Sequence, residues 1–238
     1  MAARAHQSSK DGTVSARTGV VVAIDGPSGS GKSSTSRGVA TRLGLRYLDT
    51  GAMYRAMTWW MLRHHVPVDD PAAVAERCAE PKIEAGNDPR HPTITVDGAD
   101  VAAAIRTPEV TGAVSPVSAV PQVRAHLLVL QRAAIEHAMD GPGIVVEGRD
   151  IGAVVAPDAD VKVYLTADAA ARAARRAAEE GGSDVSATES SLLARDRIDS
   201  TRTASPLTMA EGAVHIDSTP YSLEEVVDLI VGLVEKVR

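Results

Sequence analysis

Val20-Val21-Val22-Ala23-Ile24-Asp25-Gly26-Pro27-Ser28-Gly29-Ser30-Gly31-Lys32-Ser33 is the stretch on which the fold turns. Its last eight residues fit G-x-x-x-x-G-K-[ST] without a mismatch. The apolar run before them has the length of a buried strand, and the stretch Ser33–Leu43 after them reads as a helix. In that setting the glycines allow successive backbone N–H groups to curl around an anion, and the helix N-terminus adds partial positive charge. Lys32 would reach the β- and γ-phosphates, and the Ser33 hydroxyl would ligate magnesium. Gly26, Pro27, Ser28, Gly29, Ser30, Gly31, Lys32, Ser33 and Ser34 thus form a candidate site for ATP.

Outward from this loop the pattern alternates. Short apolar runs at Val20–Ile24, Leu45–Leu48, Gly143–Val146, Val161–Leu165 and Ala213–Ile216 suit buried parallel strands. Helical stretches fall at Gly51–His64, Gln122–Met139, Ala167–Glu180, Glu189–Thr201 and Leu223–Val237. The last opens on Ser222-Leu223-Glu224-Glu225, a capping box. The expectation is an α/β protein of the P-loop NTPase fold, with a five-stranded parallel sheet flanked by helices. Two segments break the rhythm. A proline-rich block at 66–109 carries Thr93-Ile94-Thr95-Val96-Asp97-Gly98, which predicts a hairpin on an Asp-Gly turn within an insertion. The segment 179–186, with Gly181-Gly182, predicts a mobile tip between helices. Residues 1–18 read as a loose polar tail, leaving 19–65 and 110–238 as the core.

Composition narrows the function. The 238 residues hold 31 acids against 25 Lys plus Arg, a net charge of −6 that argues against a nucleic-acid polymer as partner. The single cysteine, Cys78, permits neither an internal disulfide nor a cysteine zinc site, and suits a reducing cytoplasm. No apolar run approaches the ~20 residues that span a bilayer, and the first 18 residues lack the apolar middle of a signal peptide. The guanine-reading Asn-Lys-x-Asp of a GTPase switch is absent, and the strand at 143–146 runs into Glu147-Gly148-Arg149-Asp150 instead of the Asp or Asp-Glu ending of a motor ATPase. Only five of the cations are Lys. Background drift from Lys to Arg and a demand for forked donors would both produce that imbalance.

A kinase of small metabolites needs a second pocket, with cations to neutralise two facing phosphates. Arginines stand where such a pocket would lie. Arg55 follows the second strand and Arg149 the third; Arg172, Arg175 and Arg176 share one helix; Arg195 and Arg202 bracket Asp199 on the next.

Taken together, several segments resemble the bacterial cytidylate kinase family. They are the glycine-rich loop, Leu48-Asp49-Thr50-Gly51-Ala52-Met53-Tyr54-Arg55, Ile105-Arg106-Thr107-Pro108-Glu109-Val110, Glu147-Gly148-Arg149-Asp150-Ile151-Gly152, and Arg195-Asp196-Arg197-Ile198-Asp199-Ser200-Thr201-Arg202. The resemblance runs in order from about residue 20 to the C-terminus. It implies transfer of the ATP γ-phosphoryl group to CMP or dCMP with Mg2+, by a cytoplasmic monomer. It makes 66–109 the monophosphate-binding insertion and about 172–186 the lid. By the same resemblance Asp150 reads the cytosine N4 amine, with Arg124 and Ser115 on the acceptor edge, and CMP is preferred to UMP. Thr50 and Tyr54 join the CMP site, Arg55, Arg149 and Arg202 hold its phosphate, and Arg195 and Asp199 meet its sugar. Lys32, Arg149, Arg175 and Arg202 are the implied catalytic set, with Arg172 and Arg175 closing over ATP. One position departs: the family segment opens Asp-Gly-Arg-Asp, whereas this chain has Glu147, one methylene longer.

Overall fold

The computed structural model describes residues 19–179, 182, 184–202 and 205–238; the polar stretch 1–18 and residues 180, 181 and 183 of the tip expected at 179–186 lie outside the described residues. The five apolar runs are strands of one sheet: β1 (Val20–Asp25), β2 (Arg46–Asp49), β6 (Gly143–Gly148), β7 (Val161–Thr166) and β8 (Val214–Asp217). They lie in the order β2-β6-β1-β7-β8, every pair parallel. The register pairs Val20 with Gly143 and Asp25 with Gly148, so β1 and β6 end level with each other. The chain leaves β1 toward one edge and β6 toward the other. The crevice at their carboxyl ends is where open parallel sheets take ligands.

Both faces of the sheet are covered, which is why the strands read as continuous apolar runs. In β1, Val21 and Ala23 face one core, while Val20, Val22 and Ile24 face the other. The second core is closed by α1 (Lys32–Leu43) and α8 (Leu223–Glu235), through Val39, Ala40, Val226, Ile230 and Val234. Ser222 and Glu225 cap α8 reciprocally, as the sequence predicts. The first core is larger. It takes in α2 (Thr50–Arg63), α5 (Pro121–Ala138) and a small antiparallel sheet of β3 (Ile83–Ala85), β4 (Ile94–Val96) and β5 (Ala99–Asp100). The β4–β5 turn falls at Asp97-Gly98, both with positive φ (52° and 81°), as a tight Asp-Gly hairpin requires. β3 makes the expected hairpin three-stranded.

Two helices appear that the alternation did not indicate, α3 (Pro71–Arg77) and α4 (Pro108–Ala119). Each starts on a proline after a side-chain cap, Asp70 or Thr107, which is the favoured place for proline in a helix. Pro116 also lies within α4, and helix α5 leaves it at 96° after Val120. Other boundaries shift by a few residues: α6 spans Ala169–Glu179, and α7 spans Val185–Thr201, starting earlier than expected because Asp184 caps it. Among the described residues no single helix is long and apolar enough to cross a membrane.

Candidate active site

The loop between β1 and α1 is shaped by its glycines. Gly26 has φ 152°, and a Cβ there would come within 2.0 Å of the Leu165 carbonyl oxygen, so only glycine passes beside β7. Gly31 sits in the left-handed region (φ 85°) as N-cap of α1 and offers no side chain to cap it. The first N–H groups of α1 are therefore left for another acceptor. The Lys32 ammonium, buried at this end, donates to the Pro27 carbonyl at 2.6 Å. Burial pulls its pKa down, and the nearby Arg149 adds to the effect. The carboxylates of Glu147, Asp25 and Asp196 oppose both effects without cancelling them.

Across the loop, at the end of β6, stands Glu147. Its Oε1 accepts from the Ser33 hydroxyl at 2.7 Å and from the Tyr47 hydroxyl at 2.8 Å; its Oε2 is buried without a partner. Burial, followed by the charge of Asp49, pushes the Glu147 pKa up. The longer side chain relative to aspartate thus ends on the loop serine itself.

A cleft of about 380 Å³ opens from this loop and runs past the carboxyl ends of β1 and β6. Ser28, Gly29, Gly31, Lys32, Ser33 and Ser34 line one end. Thr50, Tyr54, Arg55, Ser115, Arg124, Arg149, Asp150, Arg195, Asp199 and Arg202 line the rest, so five segments of chain bring all the residues expected at a second site together. At the far end the buried Arg124 guanidinium forms an ion pair with the Asp150 carboxylate, donates to the Ser118 carbonyl at 3.1 Å and lies over the Tyr54 ring, 5.3 Å from its centroid. Midway, Asp199 accepts from Arg149 Nε at 3.0 Å and pairs with Arg202. Arg55 donates to the Ile105 carbonyl and the Thr111 hydroxyl; Thr50 donates to the Glu147 carbonyl.

These guanidiniums crowd each other. Arg55 is lowered to about 9 by burial and by Arg195, and Arg195 to about 10 by burial and by Arg149; burial and Arg124 also lower Arg202. Buried Nε of Arg195 and Nη2 of Arg202 have no hydrogen-bond partner. Guanidiniums do not shed their protons in proteins, so an anion in the cleft would relieve this crowding.

Five residues expected at the ATP site lie behind the cleft wall. Gly26, Pro27 and Ser30 shape the loop without lining the cleft. Arg172 is taken up by the Ala167 and Ser28 carbonyls and by an ion pair with Asp196, whose other oxygen accepts from Ser28 N–H at 3.2 Å. Arg175, close to Gly31, donates to the hydroxyl and the carbonyl of Ser218. Among residues not singled out from sequence, Arg37, Ser118 and Asp49 line the cleft, and Asp49 also caps α2 by accepting from Ala52 N–H at 2.9 Å. Arg106 and Arg176 line it too; the Ile105–Val110 segment was the signal for Arg106.

A glycine-rich loop at the carboxyl edge of a parallel sheet, facing a second pocket of clustered guanidiniums, defines a phosphotransferase of the P-loop kinase class. A family model described as Cytidylate kinase matches residues 22–236. The curated cytidylate kinase of Streptomyces griseus is 57% identical over 223 residues, covering 94% of this chain and 96% of that protein. That of Streptomyces avermitilis is 56% identical over 219 residues (92% and 94%), and that of Nocardia farcinica 53% over 215 residues (89% and 91%). The chain belongs to the cytidylate kinase family.

Proposed function

We propose that the protein transfers the γ-phosphoryl group of ATP to the phosphate of CMP or dCMP, giving CDP or dCDP and ADP, with CMP preferred over UMP. The observation that carries this reading is the buried Asp150–Arg124 pair at the far end of a cleft whose near end is the glycine-rich loop. Cytosine offers an N4 donor beside the N3 and O2 acceptors. A carboxylate next to a guanidinium and the Ser115 hydroxyl complements that edge. Uracil turns an oxygen toward the carboxylate, and the repulsion discriminates against it.

In the transfer, a phosphate oxygen of CMP attacks the γ-phosphorus, and the bond from that phosphorus to the β–γ bridging oxygen breaks. ADP leaves with the bridging oxygen and its electron pair. The attacking oxygen is already anionic, so no general base is required. Arg55, Arg149 and Arg202 hold the acceptor phosphate, Arg195 and Asp199 the sugar, and Lys32 follows the charge that moves to the leaving group. Arg175, beside Gly31, and Arg172 support the donor side from the 172–186 lid, while 66–109 is the monophosphate-binding insertion. Magnesium fits Ser33 and Glu147: both offer hard oxygens, and buried Glu147 Oε2 lacks a partner. Bound there with ATP, it would neutralise phosphate charge. A monomer in the cytoplasm, where nucleotides and reduced cysteine coexist, suits this chemistry.

The test is a coupled assay of ADP formation with ATP and magnesium across CMP, dCMP, UMP, AMP, GMP and dTMP. The expected result is that CMP and dCMP lead the panel. Turnover of CMP no faster than that of AMP, GMP or dTMP would remove the reading.

A further inference from the structure

We infer that Asp25 is a positioning residue for the acceptor site, fixing the turn that carries Arg149 and Asp150 to the strand from which the glycine-rich loop begins. Asp25 ends β1 and is 3% exposed. Its Oδ1 accepts from Ile151 N–H and its Oδ2 from Gly152 N–H, each at 2.8 Å. These are the opening amides of a π-helical turn, Ile151–Val155, which its own N-cap residue Asp150 leaves without a side-chain cap. Such amides have no partner within the turn, and buried N–H groups are costly to leave unpaired. Asp25 supplies the cap from a different strand.

The consequence lies one and two residues upstream of the capped amides. Asp150 and Arg149 leave the same turn toward Arg124 and Asp199. Burial outweighs the two amide bonds and lifts the Asp25 carboxyl to about 6; the charge of Asp150 adds to the rise and that of Lys32 opposes it. Asp25 is thus held by backbone amides and Asp150 by a guanidinium. One residue after Asp25 the chain enters Gly26, which passes so near the Leu165 carbonyl that a Cβ there would clash with it. The turn is gripped from its other side as well, since a Cβ on Gly152 would meet Ala210 Cβ at 3.1 Å. The G-x-x-x-x-G-K-[ST] pattern does not require an acid in this position. Its geometry sets the separation between the two ends of the cleft.

This inference rests on the reading of CMP as acceptor, and the experiment separates the two. Asp25→Asn keeps the shape but sets an NH2 group against one of two N–H donors. With fold verified by thermal melting, KM is measured for CMP at saturating ATP and for ATP at saturating CMP. The expected result is a rise in the CMP KM of about tenfold, the scale of one buried acceptor lost, with the ATP KM within about twofold of wild type. Combined with Asp150→Asn, the effects on kcat/KM for CMP should fall short of the product of the single effects, because both act on one turn. Equal movement of both KM values, no movement, or multiplicative effects would overturn the inference. If Asp25→Asn does not fold, Gly152→Ala presses the same turn from its other face, and the same CMP-only rise, about threefold, is expected; an unmoved CMP KM overturns it. If the wild-type enzyme prefers another monophosphate, the CMP reading fails while the same KM split, measured with that acceptor, still decides the role of Asp25.

Discussion

The two ends of the cleft present donors of different kinds. At the loop end the donors are backbone N–H groups at the start of α1 and one buried lysine, all from a run of nine residues. At the other end they are guanidiniums drawn from α2, α5, α7 and the end of β6, and several are held by carboxylates, Arg124 by Asp150 and Arg149 and Arg202 by Asp199. Backbone donors cost little reorganisation, but they read only phosphate. Paired side chains keep a buried cationic cluster tolerable and leave polar edges that distinguish one base from another. On the proposed reading, the loop end meets the part of the ligand that every nucleotide shares, and the far end the part in which nucleotides differ.

The largest effect that would break this contrast is at Lys32. Lys32→Ala removes the sole lysine of the loop and its buried charge beside Glu147. A loss in kcat of about 10³-fold or more is expected for all acceptors alike, with the ratio of CMP to UMP turnover unchanged. A change in that ratio would show that base discrimination reaches the loop end. Asp150→Asn acts in the opposite sense. The kcat/KM for CMP should fall by about 10²-fold while that for UMP falls less or rises, since an amide can donate to the uracil oxygen. Equal losses for both bases would make Asp150 a partner of Arg124 alone.

The same contrast explains what was legible in the sequence. The loop could be read residue by residue because its chemistry is contiguous, and the five strands because burial on both faces makes them apolar throughout. At the far end, Arg149 and Arg202 could be placed by their motifs, but their partners could not be derived from spacing. Asp25 meets Ile151 across 126 positions, Tyr47 meets Glu147 across 100, and Ser28 meets Asp196 across 168. Hydrogen bonds of that range leave no local pattern. Helix α4 escaped for the opposite reason: its local signals mislead, because Pro108 and Pro116 read as breakers although the first is a favoured N1 residue and the second is tolerated where the helix is about to bend into α5.

Arg172 is where the contrast can be sharpened with the smallest expected effect. An arginine on the donor side invites comparison with those of the acceptor side, yet its environment differs. Its Nε donates to the Ala167 carbonyl, and Nη1 reaches the Ser28 carbonyl and Asp196. It also packs on Gly29, where an added Cβ would meet Arg172 Cβ at 3.1 Å. Arg172 and Asp196 together clasp both the N–H and the C=O of Ser28, so helices α6 and α7 are docked on the back of the loop. Arg172→Ala strands a largely buried Asp196 carboxylate, and destabilisation of about 3 kcal/mol is expected, read as a lowered midpoint in denaturant. The kcat should fall only about tenfold, through a loosened loop, and Arg172→Ala with Asp196→Ala should recover part of the stability, because the unpaired charge is gone. A fall in kcat as deep as that of Lys32→Ala, with the unfolding midpoint unmoved, would instead mean that the guanidinium leaves Ser28 for the phosphates during turnover, and the donor side would then share the side-chain chemistry of the acceptor side.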